Sequence, residues 1–526
     1  NDGGNIGGNY NNDGAQGNNA LAAGVNAIAA QANSVAVGYG AQALGIETVA
    51  IGHEAGINAN GVYNTLVGKG AGENAVGDNN VMTGVTAGRD SVGSFNLMQG
   101  QQAGRASTGD FNVFLGAETG AESIGNNNSV VGYGAGKESV GDNNAFMGLG
   151  AGYQAQGSDN ASFGSFAGAN AIGDSNLMLG NEAGRNGTSE HSIMVGESAG
   201  YAANNHGSIM LGGGAGLASN GNVNTIIGRD AGREMDGNDN LISGSVAGMR
   251  LKGDFNIVTG VMAGAEAVGN ANSYQGFAAG FATGGDKNVA TGHSAGVFSA
   301  GSNNVAMGHM AGSLVGFDET TGDWIDRAGN VVVAPIGVTA NNTTALGNLS
   351  LVLQDDGVAL GSGSVANTAA GQVGYLAGGQ TDATWKGTLA AVSVGGVDSA
   401  GNVQTRQITN VAAGTTLTDA VNVAQLQAVE THYYSVNDGG NIGGNYNNDG
   451  ASGNNAVAIG VGTQADGLGS FAAGNNAFAQ AKASVAIGQS AQALGNASGG
   501  GSGFVDMGAV AIGYKAVSYD RGISIG

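Results

Sequence analysis

The segment 144-NAFMGLGAGYQAQGSD-159 decides the fold, because the chain repeats its pattern every sixteen residues. Gly148 belongs to a series that starts at Gly52 and steps by sixteen through Gly68, Gly84 and Gly100 to Gly308 without an insertion. A second Gly stands four residues after each, from Gly72 to Gly312, preceded by Ala except at Thr119. Asn stands four residues before each, from Asn64 to Asn304, replaced only by Ser192 and Ser208. Such a register means one supersecondary unit stacked on copies of itself. A helical hairpin does not fit in sixteen residues, and each Gly would cost a helix about 1 kcal/mol. Two strands of about five residues and two turns do fit. The reading is an all-β parallel solenoid. At ~4.8 Å per rung, the sixteen intervals from Gly52 to Gly308 give an array about 80 Å long.

The columns say which faces are covered. The strand after the Asn is apolar at nearly every position, as in Leu177-Met178-Leu179 and Ile209-Met210-Leu211. A continuous apolar run needs two dry faces, so this strand asks for cover from outside the roll, and self-association is the economical answer. The second strand is expected to turn Ala135 and Ser139 inward and to expose Arg89, Arg105, Lys137, Glu122 and Glu138. The Asn column, including Asn80, Asn96, Asn112 and Asn144, reads as a structural ladder that satisfies turn backbone groups. The Met column (Met82, Met98, Met178, Met194, Met210) reads as core filler.

Composition closes several routes. The 526 residues include 104 Gly, one Pro and no Cys, with 16 basic and 39 acidic residues and a net charge of −23. That charge argues against nucleic-acid binding. Zero Cys removes disulfides, thiolate metal sites and Cys nucleophiles. No apolar run reaches the ~18 residues of a spanning helix, and any export signal is expected outside this segment. The six His read as scattered, except that His293 and His309 share a column and should lie roughly 5 Å apart. The turn column mixes Asp78, Asp110, Asp142 and Asp174 with Ser94, Asn126 and Ser158, which does not suit a calcium ladder. No catalytic constellation, cofactor site or metal site is read from the sequence.

Outside the array the period falls to fourteen, at Gly24, Gly38 and Gly52, at Gly347 and Gly361, and at Gly460, Gly474 and Gly488. Residues 437–453 repeat residues 1–17 with one difference, so both ends look cut from a longer tandem chain. The fourteen-residue motif, as in 484-SVAIGQSAQALG-495, resembles the YadA-like head repeat of trimeric autotransporter adhesins. The stretch 384-TWKGTLAAVSVGG-396 resembles that family's Trp-ring module, and 405-TRQITNVAAGTTLTDAVNVAQLQ-427 is similar to its neck. The resemblance implies a left-handed β-roll, three rolls side by side with a short trimeric helical neck, and a bacterial surface anchored by an outer-membrane region outside this segment. The leading expectation is adhesion to host matrix, host cells or other bacteria; no enzymatic activity is expected from the residues, and no membrane contact within the segment.

The expected organisation is a head start (1–56), the sixteen-residue array (57–312), an insertion or cap with return to the shorter period (313–371), a Trp-ring module (372–404), a neck (405–436) and a second head (437–526). In the neck, Thr418 or Asp419 can cap a helix starting at Ala420, with Val423 and Leu426 on a shared seam. Trp385 needs the large burial site that a trimer axis offers. Residues 324–334 read as a hairpin turning at Ala328-Gly329-Asn330, either capping the solenoid edge or presenting Trp324 as an adhesive side chain. The insertion 496–507 reads as a loop. A passive spacer and a solenoid polysaccharide-processing enzyme are the alternatives to an adhesin.

Overall fold

The computed structural model describes residues 9, 11–397, 401–429, 436–437, 439–440, 443–495 and 508–526. It forms two compact units, Asn1–Ile408 and Thr409–Gly526. The expected parallel solenoid is present in both. In the first unit, strands of three residues, and a last one of two at Val392–Ser393, join a 22-stranded sheet in which every pairing is parallel. Register is set by the repeat: Ala145–Met147 pairs with Ser129–Val131 and with Ala161–Phe163, each sixteen residues away. The second unit stacks Val457–Ile459, Phe471–Ala473, Val485–Ile487, Val510–Ile512 and Ile523–Ile525 in the same way. The loop expected at 496–507 lies outside the described residues.

In the sixteen-residue rungs each strand buries its central residue and leaves its neighbours half-covered or exposed. Leu66, Met82, Met98, Phe114 and Phe146 point inward in successive rungs, and Met178, Met194 and Met210 extend the row. The facing wall is Ala, from Ala71 to Ala151, which leaves room for these large side chains. The Gly after each Ala completes the fit. Gly152 has φ +65°, and a Cβ there would overlap Cδ2 of Phe146; Gly104 stands in the same relation to Met98. The Gly that ends each strand has another reason. Gly148 has φ +140°, and a Cβ would run into the carbonyl of Gly164 in the next rung. One glycine column clears the core and the other clears the neighbouring rung.

The five-residue second strand does not form in the sixteen-residue rungs. Between Gly132 and Val140, alternate residues are left-handed: Gly134 at φ +61°, Gly136 at +60° and Glu138 at +58°. Left-handed residues break the extended backbone, so this face is a chain of turns closed by a single bridge, Val140 with Gln156. Ala135 and Ser139 still point inward, and Ser139 donates to the Gly136 carbonyl at 2.7 Å. Fourteen-residue rungs keep a true two-residue second strand, such as Ile28–Ala29 against Gln42–Ala43.

Two hydrogen-bond ladders clamp the rungs. In the buried one, the Asn144 Oδ1 accepts the backbone N–H of Asn160 at 3.0 Å, and its Nδ2 donates to the Gly157 carbonyl at 3.0 Å. Asn80, Asn96 and Asn112 make the same pair of bonds, so each amide satisfies backbone groups of the next rung. The outer ladder runs through the turn column. Asp142 Oδ1 accepts the N–H of Asn126, and Ser158 Oγ accepts the N–H of Asp142. The mixture of Asp, Ser and Asn in that column is explained by this duty, since each supplies an acceptor oxygen. Asn144→Ala should leave two buried backbone groups unpaired and destabilise the chain by about 2–4 kcal/mol. Chemical denaturation checks this, and a loss below ~0.5 kcal/mol would show that water replaces the amide.

Candidate functional site

On the turn face, charged side chains pair with one another along the axis. Arg89 Nε lies 3.4 Å from carboxylate oxygens of Glu73 and Asp90, and Arg105 pairs with Glu122. Lys137 donates to Glu118 at 3.0 Å, and Glu138 accepts from Gln154 at 2.7 Å. The Lys137 bond holds the Glu118 carboxyl below its usual range, and Glu118 in turn raises the Lys137 ammonium. Exposed pairs of this kind contribute at most about 1 kcal/mol each. Their larger effect is to give an apolar roll a hydrated side.

The 313–345 insertion is not an edge cap. Val305–Met307 pairs directly with Thr344–Leu346, so the sheet continues across it. The antiparallel hairpin joins Val315–Asp318 to Asp323–Asp326 and turns at residues 319–322. The turn expected at Ala328-Gly329-Asn330 exists as a second reversal, closed by the bridge between Ile325 and Val331. Trp324 is half-buried, its ring 4.8 Å from Phe281, 4.9 Å from Phe298 and 5.1 Å from Phe317. That packing anchors the hairpin on the array, where the sequence alone offers Trp324 as an adhesive side chain. Arg327 is half-buried and donates to the Ser313 and Leu349 carbonyls; burial lowers its pKa.

Downstream, apolar side chains lose their cover. Trp385 is only half-buried, and Tyr375 and Leu376 are 92% and 78% exposed. In the second unit Leu417 is 88% exposed, and Leu426 64%. The helix is Val423–Gln427, with no buried residue. It starts three residues later than expected because Asn422 and Gln425 form a capping box: the Gln425 N–H donates to Asn422 Oδ1 at 3.0 Å, and the Asn422 N–H to Gln425 Oε1 at 3.3 Å. Asp419 caps the preceding turn instead, accepting the N–H groups of Thr415 (2.7 Å) and Thr416 (3.0 Å). Residues 430–435 of the expected neck, with His432, lie outside the described residues.

Residues 407–451 match the family described as the coiled stalk of trimeric autotransporter adhesin. Residues 15–41, 31–55, 339–364 and 451–477 match the YadA head domain repeat. These segments are similar to the head and stalk modules of trimeric autotransporter adhesins. A search of curated proteins finds no match. The head matches fall on fourteen-residue rungs, and the stalk match spans the uncovered helix Val423–Gln427. Among the described residues no helix is long and apolar enough to cross a membrane.

The segment before this helix also carries an acid-sensitive turn. Donation from Thr415 and Thr416 holds the Asp419 carboxyl at about 2, against an ordinary 3.8. A depressed folded pKa adds stability that is present above the unfolded value and is lost as pH falls through the folded one. The turn should therefore hold at pH 4 and loosen only as pH approaches about 2. Carboxyl chemical shifts across an acid titration test this; an Asp419 midpoint near 3.8 would contradict it.

The histidines are not all scattered. His293 and His309 stack with ring centroids 5.2 Å apart, as their shared column requires, and His293 Nε2 lies 2.5 Å from Glu319 Oε2. His191 and His206 also meet, at 5.3 Å between centroids. Reading the sequence along the chain misses that pair. Its signal is present, since His206 stands sixteen residues after Glu190, next to His191.

Proposed function

We propose that this segment is an adhesin head and neck that acts as a homotrimer on the surface of a diderm bacterium, anchored to the outer membrane by a further region. The observation that carries the trimer is the uncovered apolar set Tyr375, Leu376, Leu417 and Leu426, part of which lies inside the segment matched to a trimeric stalk. Three copies that share these side chains would remove them from water at about 25 cal/mol per Å². In this reading the array attaches the cell to host matrix, host cells or other bacteria, including its own kind, and so supports aggregation and biofilm growth. Each contact is weak, and repetition over rungs, chains and fibres supplies the avidity. The columns holding Arg89, Arg105, Lys137, Glu122 and Glu138 are the proposed contact surface. Surface display with and without residues 57–312 tests the reading: attachment should fall with the array removed and weaken with salt.

A spacer role is the second reading, favoured by the pairing of those same charges with each other. Attachment unchanged without residues 57–312 would support it.

A further inference from the structure

Both ladders are altered at two successive rungs of the array. The Asn column is replaced there by Ser192 and Ser208, and the turn Gly column by Ser189 and Asn205. The backbone responds by forming an extra strand pair among the turns, Thr188–Glu190 with Asn204–His206, which sets Glu190 beside His206. The outer ladder resumes at Asn222, whose N–H donates to Asn238 Oδ1 at 2.9 Å. Glu190 and His206 occupy the ladder column without serving the ladder, so their side chains are free for another purpose. His191 follows at φ +53°, a left-handed position that brings its ring against His206.

We infer that Glu190, His191 and His206 form a binding site for a zinc-class divalent ion. One donor atom from each of the three lies within 4.8 Å of the other two, and His206 Nδ1 is 3.3 Å from Glu190 Oε2. Tetrahedral zinc, with bonds of about 2.0–2.2 Å to imidazole and carboxylate, needs donors roughly 3.3 Å apart. One pair already meets that spacing, and the others close by rotamer changes open to exposed side chains. Two imidazoles and one carboxylate suit zinc, nickel or copper and do not suit calcium or magnesium, which prefer all-oxygen shells. Three protein ligands leave a coordination position open to solvent. The strand register and the left-handed residue fix where the ligands start, so the ion need not reorganise the backbone.

The test uses the full chain freed of metal with a chelator and titrated with cobalt as a coloured stand-in for zinc. A single set of tetrahedral d–d bands should grow to one ion per chain and be displaced by zinc but not by calcium or magnesium. His191→Ala and His206→Ala should each weaken binding about tenfold or more, and Glu190→Gln should weaken it less. The double variant His293→Ala/His309→Ala should bind as the parent does, which separates this site from the other histidine pair. Circular dichroism confirms that the variants stay folded. Absence of the bands, their survival in the double variant His191→Ala/His206→Ala, or their loss with His293 and His309 would each overturn the assignment.

Discussion

Gly152→Val is expected to destabilise the array by roughly 3–5 kcal/mol. Two costs add. A β-branched residue at φ +65° occupies a region that L side chains avoid, and its Cβ would overlap the Phe146 ring, which is enclosed by Ala151 and the rungs on either side. Gly134→Ala separates the two, because Gly134 has φ +61° and no atom within 4 Å of the place a Cβ would take. It should cost only about 1–2 kcal/mol. Thermal melts of both variants decide the matter, with hydrogen exchange to locate the damage in the rungs around Phe146. Equal losses would mean that backbone strain is the whole effect and that the core has room to spare.

Leu426→Asp should have the largest effect on assembly. The helix Val423–Gln427 is too short to hold itself, since isolated helices need about 12–15 residues, and it buries nothing within its own chain. In the proposed trimer the missing cover comes from a seam shared between copies. An Asp at that seam would bring three like charges together out of water, at a cost of several kcal/mol. Trimers should dissociate at concentrations where the parent stays intact, as sedimentation or light scattering would show. Gln427→Asp, on the same short helix but at a polar position, should leave assembly nearly unchanged. If both variants assemble like the parent, Leu426 does not face the seam.

The stacking was legible because it rests on strict periodicity. A Gly every sixteen residues, an Asn four before and an Ala-Gly pair after could persist only if each rung meets the next in one register, and Met82, Phe114 and Met194 accordingly lie in the core. The turn face was not legible in the same way. Glu118, Glu122 and Glu138 carry no mark of a left-handed backbone, and only the neighbouring Gly134 and Gly136 hint at it. The helix start was misplaced because Thr418 and Asp419 are strong caps by residue type, whereas the reciprocal bonding of Asn422 with Gln425 selects the actual one. Trp324 needed three phenylalanines from separate segments to become a packing residue, and no local pattern announces that. The Glu190, His191 and His206 grouping was hidden by reading histidines along the chain instead of down the columns.

The continuity of the ladder across the insertion separates reach from decoration. The Thr343 N–H donates to Asn304 Oδ1 at 2.9 Å although the two stand 39 positions apart in the chain, so the stack does not register what the intervening chain does. Rungs can therefore be gained or lost in whole units to change the length of the stack, while a loop grows from a turn without disturbing its neighbours. Selection for distance and selection for surface features act on different parts of one chain, and neither has to wait for the other.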